Sequence, residues 1–373
     1  MSVVTPAAAA AAYVQRLPAA ALEAAPSDTV RSETLLAASI VMVLVVAWAI
    51  ARSGLLDRIP DGLRAARQPP WLADAACGGA VIGLIALALT PIGLTSRGAP
   101  ALGQALVLGL RQDAVLALMG ALAAPLIYGL MRLVPRLWAP LLGGLAAALV
   151  FAAVWLPFAL SPSSANLTPA PAGPARAGLL ELIARSRLPA SEVYITPTHA
   201  IDADVTGLGA ARVSVSRGLW DIASPQELRA SIGHLMGHYA HHDQLWIALM
   251  LAAVAFGLFG VTRMLHAPVA RALDLPRDIS NPAGAPALIA IATLWLVIGV
   301  CADHALIRWV NVRADQYSLD HAGEPDGLAM ALLHEWRGED PDPSPLQEAL
   351  FYDHPSLQSR LVHAMSWKAA HTR

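Results

Sequence analysis

Charge is what this chain has least of. Of its 373 residues, 14% are Asp, Glu, Lys or Arg and 56% are hydrophobic, whereas about a quarter of an ordinary soluble domain is charged. That shortage argues against a soluble protein. Lysine is reduced to one residue, Lys368, so nearly all positive charge is arginine. A net charge of −2, with no basic stripe along the chain, excludes nucleic acid as a partner. Cysteine is scarce as well. Cys77 and Cys301 both lie within apolar runs, which excludes a disulfide framework and a cysteine-rich zinc module. No internal repeat of useful period is present.

The apolar residues gather into long charge-free runs. Six approach or exceed the roughly 20 residues that cross a bilayer. They are Thr34–Ala51, Ala75–Ser96, Ala114–Met131, Leu137–Leu160, Gln244–Thr262 and Ala285–Ala302, each fenced by charges. A set of buried helices in a large soluble protein would not produce so many. The first run starts too far along the chain and lacks a basic flank, so it is not read as a cleaved signal peptide. The lipid bilayer is the expected surroundings. The loop Arg52–Arg67, with Arg132 and Arg136, would face the cytoplasm by the positive-inside rule, placing the segment after Leu160 on the opposite side.

The expected organisation follows from these runs. Residues 1–33 read as an N-terminal helix and linker broken at Pro18 and Pro26. Residues 34–160 form a four-span membrane region, and the Pro- and Ser-rich stretch Ser161–Pro174 marks its exit. Residues 161–243 form a soluble segment, 244–308 a two-span hairpin, and 309–373 a polar C-terminal segment. Within the soluble segment, Ala177–Arg187 reads as an amphipathic helix and Glu192–Thr196 and Arg212–Val215 as strands. Ser224 followed by Glu227 is a capping-box pattern that opens a helix through His234 and His238.

Four of the twelve histidines fall within nine residues: His234, His238, His241 and His242. Residues four apart share a helix face, so His234 and His238 can turn both imidazoles to one metal ion. A bland alternative is a polar helix end with satisfied histidines. The flanks favour the metal reading. Asp202-Ala-Asp-Val-Thr-Gly207 is followed by Gly233-His-Leu-Met-Gly-His-Tyr239, then Arg313-Ala-Asp-Gln-Tyr-Ser-Leu-Asp320, then His354-Pro-Ser-Leu-Gln-Ser-Arg360. In order, spacing and intervening spans, residues 150–368 resemble the CAAX prenyl protease family of integral-membrane gluzincins. The resemblance implies a mainly α, polytopic helical membrane protein of about six transmembrane helices. It also implies a small α+β zincin-like metallopeptidase domain, with the histidines on the cytoplasmic side.

The resemblance also assigns roles, and three positions depart from it. The family's general base follows its first histidine; here that position is Leu235, which accepts no proton. Losing such a group typically costs about 10²- to 10⁴-fold in rate. The family's third ligand, the Glu before Tyr, is matched by Gln316, so the expected metal set is His234, His238 and Gln316. An amide is a poorer zinc donor than a carboxylate, and zinc is expected to be held weakly or not at all. The family's substrate-clamping Asn is matched by Asp202, an acceptor only. Asp320 takes the place of a group that orients a ligand histidine. His354 and Arg360 take the places of residues that contact substrate or the oxyanion. Adjacent helix positions differ by about 100°, so only one of Asp315 and Gln316 can face the metal squarely; Gln316 is the expected one, and Asp315 as third ligand is the alternative, which would move Tyr317 and Asp320 off their faces.

The expected function is a membrane metallopeptidase-family protein with impaired or lost proteolysis, binding a peptide or protein ligand, in a bacterial inner membrane. Two alternatives are an active zinc endopeptidase with a non-standard site, and a transporter or channel using Asp303-His304 at the end of the last run.

Overall fold

The computed structural model describes residues 5–95, 102–160 and 167–371. Ser96 and Ser161–Asn166, at the ends of expected spans, lie outside the described residues. Helices dominate: α1 (Pro6–Val14), α2 (Ala19–Ser53), α3 (Leu55–Ala65), α4 (Pro70–Thr95), α5 (Leu102–Leu133), α6 (Trp138–Leu160) and α7 (Pro174–Arg185). After the sheet come α8 (Arg217–Ile222), α9 (Pro225–Ala240), α10 (Asp243–Ala272) and α11 (Ala285–Ala322). The chain closes with α12 (Pro325–Glu335), α13 (Pro345–Phe351) and α14 (Leu357–His371). Among the described residues, six helices, α2, α4, α5, α6, α10 and α11, are long and apolar enough to cross a membrane. The expected break at Pro26 is corrected, because α2 runs through it. Proline removes one backbone bond, and the flanking turns carry the helix past it. The break at Pro18 does separate α1 from α2.

The chain divides into two compact units. One comprises 31–148 and 252–300. Here α4 lies against α5 through small residues. A methyl added at Gly78 would sit 2.5 Å from Gly120 O, and one added at Gly120 would sit 2.8 Å from Gly78 O. Backbones approach this closely only where side chains are absent, the usual means of joining helices in lipid. In the same unit Asp74, 2% exposed, accepts two 2.7 Å bonds from Arg132.

The other unit comprises residues 1–30, 149–251 and 301–373. Its sheet has four strands in the order β1-β2-β4-β3: β1 (Thr168–Pro169), β2 (Val193–Thr196), β3 (Ala203–Thr206) and β4 (Arg212–Ser216). β2 and β4 are parallel, and β3 pairs antiparallel to β4 at the sheet edge. Alternation along β2 and β4 turns Val193, Ile195, Val213 and Val215 inward. There they meet Leu179 and Leu182 of α7 and Leu228, Ile232 and Met236 of α9. A second core joins α1, α12 and α14 around Leu328, Leu332 and Leu361.

Candidate functional site

Helix α9 begins where the sequence pattern placed it. Ser224 accepts from the Glu227 backbone, and the Glu227 carboxylate accepts from the Ser224 backbone. Two glycines then let α11 come close. A methyl at Gly233 would sit 2.9 Å from Ser318 Oγ, and one at Gly237 would sit 2.9 Å from Ala314 Cα. That notch sets the rotation of α11, whose face toward α9 carries Asn311, Ala314, Asp315 and Ser318, all buried.

The rotation decides which carboxylate meets the histidines. His234 Nδ1 lies 2.7 Å from Asp315 Oδ1. Asp315 also accepts from Arg360, with Nε and one terminal nitrogen each at 2.7 Å. His238 Nδ1 lies 2.9 Å from Asp243 Oδ2, and Arg313 is paired with Asp243. The two histidines are thus held by parallel chains of Arg, Asp and His. A carboxylate held by arginine is an acceptor only, so each Nδ1 is placed to donate and each Nε2 is turned toward the other ring. Those Nε2 atoms converge at 3.0 Å. Burial pushes His238 below the usual histidine value, against the opposing hydrogen bond to Asp243, and so favours the neutral imidazole.

The pair opens on a cavity of about 560 Å³. Leu235, His354, Arg360 and Asp202 line it, and so does Asn311. His354 is held by Asp353 at 2.9 Å. Arg360 spends its guanidinium on Asp315 rather than presenting it freely.

Gln316 and Asp320 go elsewhere, which corrects the sequence reading. Gln316 donates to Asp320 at 2.8 Å, Asp320 also accepts from the Trp367 indole at 2.9 Å, and neither lines the cavity. Asp315, the alternative to Gln316, is the carboxylate on His234. The physical reason is the glycine notch, which turns the Asn311–Asp315 face toward α9 and leaves Gln316 on another. A signal existed in the sequence. In the family that this chain resembles, the third-ligand Glu stands in Glu-Tyr-x-Ala-Asp; Asn311-Val312-Arg313-Ala314-Asp315, five residues before the Gln316 register, reproduces its closing Ala-Asp, where the Gln316 register has Leu319-Asp320. Asp243 and Arg313 were not foreseen in these roles. His241 is the C-cap of α9 and His242 has a φ of 55°, so the other two histidines serve the turn into α10.

Neighbouring ligands on a tetrahedral zinc stand roughly 3.3 Å apart, so the two Nε2 atoms suit two corners of such a site. Among the described residues, no group of three or more His, Cys, Asp or Glu side chains is placed to share an ion. The set is two imidazoles, and Asn311 lines the same cavity. A catalytic zinc site takes three protein ligands drawn from His, Cys and carboxylates, with an open position, so two imidazoles without such a third ligand do not fit one.

The model for peptidase family M48 matches residues 170–368. The protease HtpX of Acinetobacter baylyi is 30% identical over 220 residues, covering 52% of this chain and 72% of that protein. A protease HtpX homolog of Syntrophobacter fumaroxidans is 28% identical over 207 residues, covering 48% and 71%. The crystal structure of S. mikatae Ste24p superposes with a TM-score of 0.51 at 16% identity, covering 88% of this chain and 98% of that one. At that identity the likeness speaks for the fold.

Proposed function

The chain belongs to peptidase family M48, and from that premise we propose that it is a member in which hydrolysis has been lost and a binding site kept. It shares the fold of a membrane metalloprotease, and its six apolar helices and bacterial relatives make it an integral protein of a bacterial inner membrane. The family normally uses zinc. The observation that carries the proposal is the cavity wall beside the converging histidines. Leu235 follows His234 there, and Asn311 stands one turn before Asp315. Neither side chain can take a proton from water. Asn311, not Gln316, occupies the third-ligand place, and it offers a neutral oxygen. What persists is the support: Asp315 with Arg360, and Asp243 with Arg313, still orient two imidazoles. A cavity so braced can seat a polypeptide without cutting it.

The test uses the full chain in lipid nanodiscs. The natural protein, incubated with zinc, should leave an unstructured protein such as casein uncut. Asn311→Glu should bind zinc more tightly by tenfold or more, of the order expected when a carboxylate replaces an amide, whereas Gln316→Glu should not. Adding Leu235→Glu to Asn311→Glu supplies the base. Chelator-sensitive cleavage by the natural protein would sink the proposal, and zinc gained through Gln316→Glu would sink the register.

A second reading, an active peptidase with a relocated base, draws on Glu335, which lines the same cavity and whose charge is felt by Arg360. Metal-dependent cleavage that Glu335→Gln abolishes would favour it.

A further inference from the structure

The lining of the cavity is strongly acidic. Asp202, Glu335, Glu339, Asp340 and Asp353 line it, with Arg337 as the one lining guanidinium not already bound to a carboxylate. Arg360 is spent on Asp315. Among the described residues, no ion pair reaches Asp202, Glu335, Glu339 or Asp340; Asp353 is paired with His354. Burial, and next the charge of Asp353, push the Glu339 carboxyl above its usual value. Arg337 and His354 oppose part of this charge at Glu339 and Asp353, and the five carboxylates still outnumber them.

Two further features say what kind of counterion fits. Asn311 is 4% exposed; its Nδ2 donates to Ile307 O at 2.8 Å, and its Oδ1 meets no donor among the described residues. Asn311 lines the cavity, so this acceptor can receive an N–H from an occupant. The second feature is the edge strand. Ser216 N donates to Asp202 O at 2.8 Å, so the pairing of β3 with β4 runs through Asp202 and Asp204. In an antiparallel ladder the alternate residue points its backbone the other way, so the N–H and C=O of Ala203 face the free edge. Ala203 lines the cavity. An extended chain can therefore add to β3 while its side chains reach the acidic wall.

Resting on the reading of this site as a binding site, we infer that the cavity takes a basic, extended stretch of polypeptide, with Arg or Lys side chains set against Glu335, Glu339 and Asp353. The preference is electrostatic, and the backbone edge supplies the requirement for a polypeptide. Arg337 opposes it and tunes the affinity downward.

Three fluorescein-labelled peptides of about nine residues, long enough to lie along a strand, alternate Ala with Arg, Gln or Glu. Fluorescence anisotropy with the full-length protein in nanodiscs reads their binding. The Arg peptide should bind tighter than the Gln peptide by roughly tenfold, and the Glu peptide should not saturate. Glu335→Gln with Glu339→Gln should weaken the Arg peptide by about tenfold. Arg337→Gln should strengthen it, a gain that misfolding cannot produce. Equal affinity for the three peptides, an Arg preference that survives the double variant, or spermidine binding as tightly as the Arg peptide would each overturn the inference. None of these touches the loss of hydrolysis, which is read by cleavage and zinc content. Conversely, cleavage by the natural protein would sink the binding reading while leaving a charge preference measurable in kcat/KM.

Discussion

Asp315 is 1% exposed and holds two partners at once, His234 through one oxygen and Arg360 through both. Arg360 is itself buried, at 9% exposed. Removing one member of such a pair leaves an uncompensated charge away from water, which costs about 3–5 kcal/mol. Asp315→Ala should therefore lower the thermal midpoint sharply, read by tryptophan fluorescence in detergent. The paired replacement Asp315→Leu with Arg360→Met removes both charges together and should cost far less than the two single changes combined. If the double variant costs their full sum, the two residues are not one unit. The orientation of His234 and His238 depends on this bracing. A residue that neither binds substrate nor moves a proton can still decide whether two Nε2 atoms meet.

At the scale of the element, the contact between α9 and α11 places the site. Gly237→Ala would put a methyl 2.9 Å from Ala314 Cα and 3.0 Å from Tyr317 Cβ. Overpacking of this kind costs roughly 1–3 kcal/mol, and it would push Asp315 back from His234. Gly260→Ala, whose methyl meets nothing within 4 Å, should leave the midpoint unchanged. Equal behaviour of the two variants would remove the notch from the account. This contact also explains what could be read from the sequence. The Ser224 cap, the strands β2 and β4 and the apolar spans each carry a local pattern, and each was legible. The rotation of α11 was not. Its apolar residues run all round the helix, so no periodicity fixes which face meets α9, and the choice between Asp315 and Gln316 turns on glycines about 80 residues earlier. β3 was hidden for a related reason. Ala-Asp-Val-Thr is too short to show alternation, and it is a strand because β4 pairs with it. His234, His238, Asp202, His354 and Arg360 line one cavity, whereas Asn311 carried only the weaker signal of the Ala-Asp that closes its register.

For the whole molecule, the parity of six crossings makes a prediction that no single helix makes. Counting from the N-terminus, the segment before α2, the segment 167–242 and the segment after α11 should share one side of the membrane, the parity also required if these stretches are to build one compact unit. The loop around Ser53 and the arginines that follow it should lie on the other. The arginine excess in that loop favours its retention in the cytoplasm, while the family resemblance favours the cytoplasm for the histidines. These cannot both hold, so labelling decides between them. With Cys77 and Cys301 replaced by Ala, single variants Ser53→Cys, Ser191→Cys and Ser366→Cys, all at exposed positions, can be treated with a membrane-impermeant maleimide in intact spheroplasts and in inverted vesicles. Ser191→Cys and Ser366→Cys should label together, and Ser53→Cys from the opposite face. If Ser191→Cys and Ser366→Cys label from different faces, one of α10 and α11 does not cross, and the cavity they support would have to be assembled from another topology. If they label together in inverted vesicles alone, the acidic cavity faces the cytoplasm, where basic polypeptide segments would reach it without crossing the bilayer.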